Sequence, residues 1–134
     1  ARLTPTESES QAALIQWARL PSTLSRYPEI ALLHHIPNGG ARHPVVARKL
    51  KAQGVLAGIP DLFLPVAKWG FYGLYIEMKR PGGKLSKDQK SICSALFAQG
   101  YKVVVCTSWE QAKMIISNYL DLTVIHDKPV TIQT

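Results

Sequence analysis

Two apolar segments, about 61–66 and 72–79, flank Lys68-Trp69-Gly70-Phe71, and this pairing constrains the fold more than any other part of the chain. Apolar stretches of that length, separated by a short glycine-bearing connection, read as an antiparallel hairpin. Paired positions in a hairpin lie equidistant from its turn. A turn near Lys68-Trp69-Gly70 therefore sets Asp61 opposite Glu77, and directly paired side chains stand ~5 Å apart. Alternation sends Leu74, Ile76 and Met78 to one face of the second strand and Tyr75, Glu77 and Lys79 to the other. Two carboxylates and a lysine converge on one face. Taken singly, Asp after Pro60 is ordinary turn chemistry and Glu-x-Lys an ordinary solvated face. Burying all three together without a task would be costly. They are also the parts needed to hold a divalent metal ion and activate a water on it.

The rest of the chain supplies the surroundings of this hairpin. Residues 4–20 read as a first helix. Thr4 or Thr6 caps it, Pro5 suits its first turn, Glu7 and Glu9 lie at its positive end, and Pro21 ends it. Ala13, Leu14, Trp17, Ala18 and Leu20 form its apolar side. The run Ile30–Ile36 reads as a buried strand stopped by Pro37-Asn38-Gly39-Gly40. Residues 44–53 form a short basic helix carrying Arg48, Lys49 and Lys51. After the hairpin and the turn at Pro81-Gly82-Gly83, Ser86 caps a helix to about Ala98. Lys102–Thr107 is a continuous apolar strand, which suits a sheet covered on both faces. Ser108 caps a last helix, about 109–120. Residues 121–134, with Val124, Ile125, Val130 and Ile132, read as a weak hairpin or tail. This order implies an α/β fold, a mixed sheet between helices, in a single domain over 1–134.

Charge narrows the partners. Lys and Arg number 16 against 9 Asp and Glu, a net charge of +7, which favours polyanions and nucleic acid first. At 46% apolar residues the composition excludes disorder. No apolar run approaches the ~20 residues of a membrane span. The start lacks both a signal-peptide core and a methionine, so processing or trimming is expected. Cys93 and Cys106 sit far apart in apolar runs and read as reduced core residues, which fits a cytoplasmic location. His34 and His35 point to opposite faces of a strand, and no Cys/His spacing matches a zinc site. Trp69 and Tyr72 are candidates for stacking on an opened base, although local packing is the commoner role there.

The runs Gly58-Ile59-Pro60-Asp61-Leu62, Ile76-Glu77-Met78-Lys79-Arg80, Gly83-Lys84-Leu85-Ser86-Lys87-Asp88-Gln89 and Gly100-Tyr101-Lys102-Val103-Val104-Val105 resemble the VRR-NUC family of the PD-(D/E)xK nuclease superfamily. Pro37-Asn38-Gly39-Gly40-Ala41-Arg42 and Gln53-Gly54 resemble its small, stand-alone phage-type members. The resemblance covers roughly 7–120. It implies a restriction-endonuclease-like αβββαβ core and a metal-dependent DNA endonuclease. With no second domain in view, it also implies a homodimer acting on branched DNA such as four-way (Holliday) junctions. A general or end-processing nuclease is the alternative. A nucleic-acid-binding module without catalysis is another, disfavoured by the complete Asp61, Glu77 and Lys79 set.

On this reading Asp61 and Glu77 ligate Mg²⁺ or Mn²⁺, hard cations that prefer oxygen. The resemblance adds the backbone carbonyl of Met78. Lys79 orients the attacking water and offsets developing charge. The family also implies an acidic residue from the first helix. Glu7 and Glu9 both qualify, and Glu9 is preferred as nearer the apolar side. Gln89 matches the family's helix glutamine and is expected near the site, binding water or the scissile phosphate. Arg42, Arg48, Lys49, Lys51, Lys84 and Lys87 are candidate phosphate contacts, which lend affinity without sequence readout.

Overall fold

The Lys68–Phe71 connection folds as a tight turn whose ends bond to each other in both directions, at 3.2 and 2.9 Å. Trp69 (φ 59°) and Gly70 (φ 81°) both take left-handed backbone, a twist that matches the flanking strands. The computed structural model describes residues 4–37 and 43–121. Its elements run α1 (Glu7–Ala18), α2 (Pro21–Arg26), a 3₁₀ helix (Pro28–Leu32), β1 (His34–His35), α3 (Pro44–Ala52), β2 (Leu62–Leu64), β3 (Leu74–Met78), α4 (Lys87–Ala98), β4 (Lys102–Cys106) and α5 (Trp109–Leu120). The four strands form one mixed sheet in the order β1-β2-β3-β4. The first two pairings are antiparallel and β3–β4 is parallel. Leu62 faces Ile76, Phe63 faces Tyr75 and Leu64 faces Leu74, the register expected from the turn.

One face of the sheet is sealed. Leu62, Leu64, Leu74, Ile76 and Met78 pack with Leu14 and Ala18 of α1 and with Ala112 and Ile116 of α5. Burying each large aliphatic side chain there contributes ~1.5–3 kcal/mol. The other face carries α4, which has no fully buried residue. Val105 remains 40% exposed on β4, so the expected cover on both faces of that strand is incomplete.

Three other expectations need correction. Most of Ile30–Ile36 is not strand. Pro28 opens a 3₁₀ helix, Arg19 binds the carbonyls of Ile30, Ala31 and Leu33, and only His34 and His35 pair with β2. Pro21 ends α1 but also opens α2, where a first-turn proline is well suited. Thr6 is the cap of α1, so Pro5 precedes the helix rather than entering its first turn. The readings for 38–42 and 122–134 lie outside the described residues.

Candidate metal and phosphodiester site

The strand period delivers the two carboxylates. Asp61 immediately precedes β2, and its Oδ2 accepts the Met78 N–H at 2.8 Å. Glu77 is 2% exposed on the face opposite Ile76 and Met78. Its Oε2 lies 3.4 Å from the Lys79 ammonium and accepts from Gln89 Nε2 at 2.9 Å. Its Oε1 is buried with no hydrogen-bond partner among the described residues. An unsatisfied buried carboxylate oxygen is expensive. Burial, reinforced by Asp61, pushes Glu77 up to about 7 against the opposing pull of Lys79. Burial also raises Asp61, while the Met78 N–H and His35 hold it down.

This donor set fits a hard divalent cation. The Asp61 charge adds to burial in raising the proton affinity of Glu77, and a cation between the two carboxylates would remove that cost. No three His, Cys, Asp or Glu side chains among the described residues gather closely enough to hold an ion unaided. Remaining positions would fall to main-chain carbonyl oxygen and water, which such cations accept.

Gln89 is positioned by helix chemistry. It is the third residue of α4, and its Oε1 accepts the Ser86 N–H at 2.8 Å while Ser86 Oγ accepts the Gln89 N–H at 3.1 Å. This capping box fixes the amide's orientation. With the oxygen committed to the cap, only the NH₂ end can face Glu77. Gly58 brings the 58–61 loop against the same turn. Its φ is 90°, and a Cβ there would stand 2.6 Å from the Asp88 backbone. Glycine is thus required where the Pro60-Asp61 segment meets α4.

Of the two first-helix candidates, the preferred Glu9 serves the helix cap, and Glu7 bears on Asp61. Glu9 is exposed, and its Oε1 accepts the Thr6 N–H at 2.8 Å as half of the α1 capping box. Glu7 is partly buried. Its Oε2 accepts the Arg80 N–H at 3.2 Å, and its charge bears on Asp61. The buried positions Ser10, Leu14 and Ala18 define the inward stripe of α1, and Glu7 lies on that stripe at i−3 from Ser10. Buried Ser10 was the missed signal, a small polar residue within the packed face.

The remaining candidates are spread more widely. Arg48, Lys49 and Lys51 are exposed on α3, as are Lys84 and Lys87 around the start of α4, while Arg42 lies outside the described residues. His35 borders the site through a hydrogen-bonding contact, its Nδ1 lying 2.7 Å from the Asp61 carbonyl. His43 caps α3 through Val45 N–H. Trp69 packs against the core, whereas Tyr72 is 67% exposed. Both cysteines are free. Cys106 is fully buried as expected, but Cys93 is only half-buried.

The sequence profile of the VRR-NUC domain matches residues 5–110. The chain belongs to the VRR-NUC family. That membership makes it a nuclease domain, of a superfamily that generally uses divalent metals. A solved VRR_NUC domain protein is 26% identical, with a TM-score of 0.74 over 97% of this chain and 99% of that one. No curated protein matches significantly. Among the described residues, no helix is long and apolar enough to cross a membrane.

Proposed function

We propose that this VRR-NUC domain is a divalent-metal-dependent DNA endonuclease whose site is Asp61, Glu77 and Lys79, with Glu7 and Gln89 at its border. The observation that carries this is Glu77, a buried carboxylate with one orphaned oxygen set between Asp61 and an ammonium group. Asp61, Glu77 and the Met78 carbonyl would hold Mg²⁺ or Mn²⁺. When bound, such an ion supplies Lewis acidity and a lowered water pKa. Lys79 holds the attacking water and offsets negative charge as the phosphorus becomes five-coordinate. Gln89 keeps Glu77 Oε2 occupied, which leaves Oε1 directed to the ion. Glu7, whose charge bears on Asp61, would supply a further carboxylate at the border of the site. Exposed Arg48, Lys49, Lys51, Lys84 and Lys87 grip phosphates. In this reading the domain forms a homodimer and prefers branched DNA, in keeping with its resemblance to small family members.

A Mg²⁺ cleavage assay on a four-way junction, linear duplex, flap and single strand tests this, with Glu77→Ala as control. Paired, symmetric nicks in the junction alone are expected. Equal cutting of every substrate would replace the junction preference with a general nuclease. A Lys79→Ala protein that cuts at the wild-type rate would remove that residue's role.

A further inference from the structure

The face of the sheet that carries Glu77 also carries a row of aromatic rings. Phe63 and Tyr75, partners across β2 and β3, are stacked with ring centroids 4.2 Å apart and planes 17° from parallel. Tyr101 meets Tyr75 edge-on at 5.3 Å, and Tyr72 extends the row 6.1 Å beyond Tyr101. His34 meets the far side of Phe63 at 5.8 Å. Gly73 leaves the space into which Phe63 leans. None of the three tyrosine rings is buried, and Tyr72 is the most exposed large hydrophobic residue described.

Position decides what this row meets. Tyr75 is two residues from Glu77 on the same face, ~7 Å along the strand, and Tyr72 is ~17 Å away. A DNA strand that follows this face to bring its phosphate to Asp61 and Glu77 passes over or beside these rings. A second copy seated face to face on them would close the approach to the site. Aromatic rings bind bases, and bases within a continuous duplex are hidden behind the phosphates. Resting on the proposed nuclease site, we infer that the row Tyr75–Tyr101–Tyr72 receives unpaired nucleotides flanking the scissile phosphate. The substrate class is then branched DNA whose bases open at the branch point, beside the cut.

The test measures affinity by fluorescence anisotropy without divalent metal, so binding is read independently of cleavage. The probes are a matched duplex and the same duplex carrying three unpaired nucleotides. The preference for the unpaired probe should fall about tenfold in Tyr72→Ala, comparable to the loss of one stacked base. Tyr72→Trp should restore it, and Met114→Ala, exposed on α5, should leave both affinities unchanged. Tyr101→Leu provides a second reduction should Tyr72→Ala alter the turn. An unchanged preference, or an equal loss on both probes, overturns the inference. An unchanged preference with a shift to monomer in sedimentation would overturn it in favour of a subunit interface. Selective binding by a protein that cuts nothing would support the aromatic row and overturn the cleavage reading alone.

Discussion

Glu77 concentrates the tension of the site in one residue. Its pKa of about 7 lies well above the usual 4.5. Between those values the folded, metal-free protein keeps a proton that the unfolded chain has released, so stability falls as pH rises through the window. The full loss is on the order of a few kcal/mol. Metal takes the proton's place, so Mg²⁺ or Mn²⁺ should raise the melting temperature more at about pH 8 than at about pH 5.5. Glu77→Gln should abolish cleavage yet raise the metal-free melting temperature above pH 7, because one of two crowded carboxylate charges disappears. Calorimetry showing a lower melting temperature would contradict the burial argument. The two first-helix glutamates separate in the same way. Glu9→Gln keeps a capping side chain and should cut normally, whereas Glu7→Gln should lose ~10-fold or more in rate. Asp61, Glu77 and Lys79 were legible in the sequence because a strand has a rigid two-residue period. The choice between Glu7 and Glu9 was not, because a helix face depends on its phase, and the long apolar side chains of α1 blurred it.

The elements themselves carry catalytic geometry. The turn that starts α4 is held by Ser86 and Gln89, and Gly58 presses against it. Ser86→Ala should cost ~1 kcal/mol of stability. It should also slow cleavage, since Gln89 loses the bond that orients its amide. Gly58→Ala should cost roughly 1–3 kcal/mol through left-handed strain. Its contact with Asp88 would also displace the Asp61 loop, which cleavage rates and thermal melts can report together. Ser86, Ser108 and their following residues announced both late helices in the sequence, because capping is local chemistry. The run Ile30–Ile36 was not legible, for the opposite reason. Its helical turns depend on Arg19, which reaches three distant carbonyls, and no local pattern encodes such a brace.

At the scale of the molecule, net charge +7 and the exposed Arg48, Lys49 and Lys51 on α3 predict salt-sensitive binding. Replacing all three by Ala should flatten the plot of log affinity against log salt by up to about 3 × 0.9 on duplex DNA. A slope identical to wild type would show that α3 does not touch the backbone. The sheet also separates two kinds of mutation. Along β3, Leu74, Ile76 and Met78 enter the sealed core, while Tyr75 and Glu77, followed by Lys79, lie on the opposite face, which carries α4 and the candidate site. Ala at Leu74 or Ile76 should cost 2–5 kcal/mol, with turnover per folded molecule preserved. Changes at odd-numbered positions should alter turnover with little loss of stability, or even a gain at Glu77. Tolerance to mutation along this strand should therefore alternate residue by residue. New substrate preferences can be acquired on one face while the other continues to specify the same fold.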